Sequence, residues 1–325
     1  MYKFIFLDSK INIKNIFNMK IYNILGFFTI IYNVLCYKNV KSFIKLKETK
    51  MDFCYNDLEK MSLLSKVIYD YDYNEKNKKE DLENLDSKLN FIRCDNFNCV
   101  KLDYLDLLSK SELIKNYDVK NRLQSIILIN HKLQEIIVIF RGSIYFNEWL
   151  ANLDIKESNL DFNKNLEIHN GIYQLYKENN LFLNLSELYN KYPNYRKILT
   201  GHSRGSINSI LSALELDFRL DYKYNYEIFC FGMPAIFNSL LSDYIYKKKN
   251  IKIYNIINND DIITLLKLKN KYHIGDEILL KDNKIYVKKH DIHYVIKKNI
   301  NLNDLKNLIK NHDLCNYIEN IISKK

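Results

Sequence analysis

The chain has 325 residues, enough for one large domain or two small ones, and 47% of them are apolar, which argues against intrinsic disorder and for a sizeable core. Lys and Arg number 49 against 39 Asp and Glu, a formal charge of +10. That charge is dispersed, with small clusters at Lys247-Lys248-Lys249 and Lys288-Lys289-His290. No Arg-rich run or basic motif interleaved with aromatics appears, which sets nucleic acid aside as a partner. A mildly basic surface suits contact with an anionic lipid surface, or is simply a solvated face. Among the six cysteines no C-x-x-C pair has metal spacing. Cys94 and Cys99 are placed to close a small loop if the protein is exported, and Cys230, after an apolar run, reads as a buried thiol.

In chain order, the first fifty residues stand apart. Ile21 to Tyr37 is an almost uninterrupted apolar run with Lys14 and Lys20 before it and Lys38 and Lys41 after it. It reads as a cleaved signal peptide, a signal anchor or an apolar helix packed on the domain. Residues 1–50 are therefore expected to be a leader, and 51–325 one domain, secreted or membrane-associated. Apolar residues recur at helical spacing from Asp52 to Tyr71 (Leu58, Met61, Leu64, Val67, Ile68), and charged residues from Asn74 to Ser87 read as a loop. Strand-like pieces follow between Phe91 and Tyr104. Gln124 to Phe140 reads as a hairpin with a polar turn at Asn130 to Lys132; its second strand, Ile136 to Phe140, is apolar throughout, as in a strand buried on both faces. Leu181 to Tyr192 reads as a helix, Tyr226 to Phe231 and Ile251 to Ile257 as strands, and the last 25 residues as one or two amphipathic helices. This alternation predicts an α/β fold with a mainly parallel central sheet flanked by helices.

The most informative segment is Ile198-Leu199-Thr200-Gly201-His202-Ser203-Arg204-Gly205. It reads as a strand, a Gly-x-Ser-x-Gly turn and a helix from Ser206 to Phe218. A serine on so sharp a turn needs small residues two before and two after it. The helix N-terminus that follows offers N–H groups to developing negative charge. Serine nucleophiles need a base, an acid that orients the base, and oxyanion donors. Downstream lie Asp260 and Asp261 after the strand at 253–257, then His290 and His293, in the order of an α/β-hydrolase triad.

Several further segments carry a resemblance, in order, to the class 3 (fungal-type triacylglycerol) lipase family. Phe140-Arg141-Gly142-Ser143 resembles its F-R-G-[ST] loop, and Glu148 to Leu153 its D-W-x-x-N-L continuation. His169 to Tyr173 resembles V-H-x-G-F, and Gly201 to Ser206 resembles G-H-S-L-G-G. Phe231 to Pro234, Ile256 to Ile263 and Tyr272 to Gly275 complete the set. The match covers about residues 125 to 296. Six of the seven glycines and Pro234, one of two prolines, fall on matching positions.

The resemblance implies an α/β-hydrolase-like fold and a serine ester hydrolase acting on glycerolipids at an interface, with no metal or organic cofactor. Phospholipid or small-ester hydrolysis is the alternative, and a catalytically inactive binding protein the second. Residue by residue, it makes Ser203 the nucleophile, Asp261 the acid in preference to Asp260, and Ser143 with the Arg204 N–H the oxyanion donors. His290 is favoured over His293 as base, because the family places an aromatic a few residues beyond its histidine and Tyr294 fits. His202 is expected to support the turn, and His169 and His273 to be hydrogen-bonded core groups. The family's helical lid falls at Ile144 to Leu150, with Tyr145, Phe146 and Trp149. Arg204 departs from the family's Leu; its side chain is expected to face solvent, with recognition of an anionic lipid as the alternative.

Overall fold

The computed structural model describes residues 55–77, 92–94, 97–100, 111–117, 123–143, 156–178, 181–258, 261–265, 270–281, 284–288 and 311–323. The expected leader, the lid segment, Asp260, His290 and His293 lie outside them.

Helix α1 (Tyr55–Asn77) runs further than the apolar spacing alone indicated, continuing into the charged residues read as a loop. A short antiparallel pair, β1 (Ile92–Cys94) and β2 (Phe97–Val100), follows. β3 (Glu112–Tyr117), β4 (Leu123–Asn130) and β5 (Glu135–Phe140) pair antiparallel. β6 (Glu157–Leu160) and β7 (Asn163–His169) form a separate hairpin, followed by α2 (Asn170–Lys177) and α3 (Phe182–Lys191). Then come β8 (Arg196–His202), α4 (Arg204–Arg219), β9 (Tyr226–Phe231), α5 (Ser239–Tyr246) and β10 (Ile251–Asn258). The one-turn α6 (Ile262–Leu265), β11 (Asp276–Lys281), β12 (Lys284–Lys288) and α7 (Leu314–Ile322) complete the described elements.

Eight strands form the central sheet in the order β12-β11-β10-β9-β8-β5-β4-β3. The five inner strands from β5 to β11 run parallel, and the antiparallel pairs lie at the edges. A parallel sheet needs cover on both faces, and the two-residue period supplies it. In β5, Ile136, Val138 and Phe140 join the core beneath α2, α3 and α4, which contribute Ile172, Leu185, Ile207, Ile210 and Leu214. Ile137 and Ile139 face the other way, into a second core with Leu58, Met61, Leu64 and Ile68 of α1 and Leu314, Ile318 and Ile321 of α7. Truncating such a side chain to alanine removes about 2–5 kcal/mol.

Helix α1 is also pinned to the sheet by charge. Lys60 Nζ lies 2.6 Å from Glu135 Oε2, and Arg196 reaches Asp57 at 2.8 Å and Glu227 at 2.6 Å. These pairs sit at the N-terminal ends of β5 and β8. The opposite, C-terminal ends of the parallel strands are left to the loops, where α/β sheets place their sites.

Candidate active site

Ser203 occupies the single residue between β8 and α4. Its φ of 56° and ψ of −123° are strained for a residue with a side chain, a conformation held only where the surroundings enforce it. They do so here by close approach. A Cβ at Gly201 would lie 2.4 Å from the Gly205 carbonyl carbon, and one at Gly205 would lie 2.3 Å from the Phe140 carbonyl oxygen. Any larger residue would push strand, turn and helix apart. Ser203 N–H donates to Phe231 O at 2.8 Å, and Ser206 Oγ donates to Gly201 O at 2.8 Å. A serine before a helix ordinarily caps it through its hydroxyl; Ser203 makes no such cap bond, so the turn does not consume its Oγ.

Asp261 follows β10, two strands from β8, and is fully buried. Its Oδ1 accepts the Ile263 N–H at 2.8 Å. Its Oδ2 accepts twice: from Tyr317 Oη at 2.5 Å and from His312 Nδ1 at 2.8 Å. The carboxylate is thus the hub of a buried polar network. Tyr317 responds to it: burial first, then the adjacent charge of Asp261, raises its phenol well above the ordinary value.

His312 is the histidine that the structure brings to Asp261. The two residues favoured as base from sequence, His290 and His293, lie outside the described residues, and His312 was not among the candidates. It precedes α7, whose N-cap Asp313 accepts from Cys315 N–H at 2.9 Å. Its loop is fastened from two sides. Asn258 Nδ2, at the end of β10, donates to Asn311 O at 3.2 Å and is itself aligned by Asn320 through Oδ1. His202 Nε2 donates to His312 O at 2.8 Å, and the two imidazoles pack with centroids 4.6 Å apart. Thus the residue beside Ser203 holds the backbone of the residue beside Asp261.

The other side of His202 reaches the loop after β5. Its Nδ1 lies 3.2 Å from Tyr69 Oη, and Tyr69 Oη accepts the Gly142 N–H at 3.0 Å. With a neutral imidazole all three contacts are satisfied when His202 donates from Nε2 and accepts at Nδ1, while Tyr69 donates to it and accepts from Gly142. Burial, then the neighbouring His312, holds the His202 imidazolium well below its ordinary range, which agrees. Burial likewise raises the Tyr69 phenol to about 12. Hence the supporting role expected for His202 is the one its bonds describe, and Tyr69 is a residue the sequence reading missed.

Ser143 follows Gly142 and is partly exposed. A Cβ built at Gly142 would lie 3.3 Å from Ser203 Cβ, so this loop lies directly against the turn. The Arg204 N–H belongs to the first turn of α4, where backbone donors lack intrahelical acceptors. Its side chain corrects an expectation. Rather than facing solvent, Arg204 is buried, and its Nη2 donates to Gln124 Oε1 at 3.3 Å. His169 caps α2 by accepting the Ile172 N–H at 3.4 Å. His273 bonds Thr264 O at 2.8 Å and Asn255 at 3.2 Å. Both are the buried, hydrogen-bonded groups expected. Cys230 is a buried free thiol, raised in pKa by burial; Cys315 is disulfide-bonded. Among the described residues, no group of three or more His, Cys, Asp or Glu is arranged to hold a metal ion.

A mainly parallel sheet with a strained serine turn after one strand and a buried Asp–His pair after a later one defines a protein of the α/β-hydrolase class. Residues 137–271 match the family model for lipase (class 3). The chain is similar to the class 3 lipase family over that stretch, which is less than half of its length. It is 27% identical over 154 residues to a lipase of Rhizomucor miehei, covering 46% of this chain and 42% of that protein. It is 24% identical over 135 residues to a secreted mono- and diacylglycerol lipase of Fusarium solani, covering 41% and 39%. The matched stretch thus spans less than half the length of these relatives. The structure of R. miehei triacylglyceride lipase superposes with a TM-score of 0.61 at 18% identity, over 82% of this chain and 95% of that one. At that identity the superposition establishes the fold.

Proposed function

We propose that the protein is a serine ester hydrolase that cleaves acyl esters of glycerolipids through an acyl-enzyme, with Ser203, His312 and Asp261 as its triad. The observation that carries this reading is the Asp261–His312 bond on a buried carboxylate, beside a strained serine turn whose hydroxyl caps nothing.

In this reading His312 donates from Nδ1 to Asp261, which leaves the ring's lone pair on Nε2. Ser203 Oγ attacks the ester carbonyl as Nε2 takes its proton. The tetrahedral oxyanion is held by the Ser143 hydroxyl and N–H and by the Arg204 N–H, at the positive end of α4; each such donor is worth ~3 kcal/mol of barrier. The imidazolium, stabilised by Asp261, then protonates the leaving alcohol as the C–O bond breaks. Water, deprotonated by His312, attacks the acyl-enzyme, and the same oxyanion site serves the second step. Asp261 orients the ring and does not take its proton. His312 here replaces His290 as the base.

Glycerolipid esters are favoured as substrates because the two relatives described above are named as lipases, one for mono- and diacylglycerols. The inactive-binding alternative predicts loss of a triad member, and in this reading each of the three roles has a residue to fill it. Residues 1–50 are read as a leader for export. In support, one curated relative is named as secreted, and the disulfide-bonded Cys315 suits an oxidising compartment. Among the described residues no helix is long and apolar enough to cross a membrane.

The reading is tested by hydrolysis of short soluble esters, long-chain acylglycerol emulsions and phosphatidylcholine by the wild type and Ser203→Ala. We expect turnover of acylglycerols that vanishes in the variant. Ser203-dependent turnover of phosphatidylcholine alone, or of short esters alone, would reassign the substrate class, and turnover unaffected by the substitution would overturn the mechanism.

A further inference from the structure

Arg204 stands where the family it resembles has an apolar residue, yet its side chain is buried at 7% exposure. Burying a guanidinium is costly unless it is bonded. Its Nη2 donates to the side-chain Oε1 of Gln124, 80 residues earlier in the chain. Gln124 is itself 4% exposed and lies on β4, not on β5, which leads into the Ser143 loop. The same residue uses its main chain as well: Gln124 O accepts the Arg141 N–H at 2.9 Å, one hydrogen bond beyond the regular β4–β5 register that ends at Ser125 and Phe140. Gln124 therefore touches both carriers of the proposed oxyanion donors. Its carbonyl fixes the start of the Arg141-Gly142-Ser143 loop, and its side chain fixes the first residue of α4.

We infer that Gln124 is a positioning residue for the oxyanion site, clamping the Ser143 loop and the Arg204 turn at a fixed separation through its two bonds. The inference rests on the serine-hydrolase reading above. An oxyanion hole acts only when its donors are set before the charge develops. The two donors here come from different chain segments, a loop after β5 and the start of α4. The existing packing holds α4 against β5, because Gly205 abuts Phe140 O, but contact of that kind does not fix the rotation of the first turn. A side-chain bond from that turn across to β4 does. Because Gln124 acts through Arg204 and Arg141, its loss should slow the chemical step and spare substrate binding.

The test uses the full chain and a soluble short-chain ester, comparing wild type, Ser203→Ala, Gln124→Leu, Arg204→Leu, the double variant and Gln124→Glu, which keeps an acceptor for the guanidinium. We expect each single leucine variant to lose about tenfold to a hundredfold in kcat, the scale of a misplaced catalytic group, with KM within about twofold. The double variant should be no slower than the worse single, since the two residues act through one contact, and Gln124→Glu should regain most of the loss. Urea unfolding of each variant separates loss of fold from loss of geometry. Independent, multiplicative losses in the double variant, or unchanged kcat in Gln124→Leu with Ser203-dependent turnover in the wild type, would overturn the clamp and leave the hydrolase reading intact. A wild type without Ser203-dependent turnover would overturn both.

Discussion

His312 and Asp261 are 51 residues apart in sequence and 2.8 Å apart in the fold, Nδ1 to Oδ2. The contact exists because β10 delivers Asp261 to the C-terminal edge of the sheet while α7, packed on the opposite face from α4, ends its N-terminal side at the same edge. The bonds from His202 and Tyr317 fall on these two residues themselves, and the bond from Asn258 falls on the neighbouring Asn311.

Tyr317 shares the Oδ2 oxygen with His312. Hydrogen bonds to charged groups contribute about 1.5–3 kcal/mol, so Tyr317→Phe should leave the carboxylate less firmly oriented. The expected outcome is a loss of about tenfold in kcat, equivalent to ~1.4 kcal/mol of barrier, with KM little changed. Steady-state kinetics on a soluble ester check this; a variant as fast as wild type would show that Asp261 needs only its other partners.

Tyr69 links Gly142 to His202. Replacing it with Phe leaves the Gly142 N–H and His202 Nδ1 without their shared partner, at about 1–3 kcal/mol for each buried group left unmet. Both thermal stability and kcat should fall. Loss of stability with kcat intact in the folded fraction would confine Tyr69 to the fold.

Gly232 lies at φ +61°, and a Cβ there would meet Asp261 Oδ2 and His312 Cε1, each at 3.0 Å. Gly232→Ala combines a left-handed backbone, about 1–2 kcal/mol for an L-residue, with pressure on the Asp–His pair. Gly275, at φ +84°, would instead press on Ile253, away from the site. Both alanine variants should be less stable, but only Gly232→Ala should lose kcat once corrected for folded fraction. Equal kinetic effects would contradict this.

His202 makes stability depend on pH. Its folded-state pKa is held well below the ordinary value by burial, then by His312, whereas the unfolded chain titrates near 6.5. Below that pH the unfolded state binds the extra proton, so stability is full above it and declines as pH falls, by up to about 1.4 kcal/mol per unit. Urea midpoints between pH 7 and 5 should show a steeper decline for wild type than for His202→Asn. Parallel slopes would mean that His202 is not the group responsible.

The fold was legible where burial imposes a period. Ile136 to Phe140 is apolar throughout because both faces of β5 are covered, and the Gly-x-Ser-x-Gly spacing at 201–205 reflects contacts that a Cβ would break. The strands β11 and β12 escaped notice: both carry charged residues, because β12 forms the sheet edge and β11 lies next to it, where many of the described side chains are only partly buried. His312 was hidden for a different reason. It lies beyond the stretch that resembles the family, in the polar run Asn311-His312-Asp313, and its partners are set by tertiary contacts with Asn258, Asp261 and His202. One signal was available: Asp313 as a cap before the amphipathic Leu314–Ile322, with the aromatic Tyr317 five residues after the histidine. Arg204 misled because a charge is normally exposed, and its buried acceptor Gln124 is remote in sequence.

The role proposed for His312 is that of the base serving Ser203. Its most direct test is pre-steady-state acylation by a soluble activated ester, comparing His312→Ala with His290→Ala and His293→Ala. Acylation in His312→Ala should fall by about three orders of magnitude or more, as when a triad member is removed, with the other two variants within a few-fold of wild type. Rapid acylation in His312→Ala together with its loss in His290→Ala or His293→Ala would contradict it.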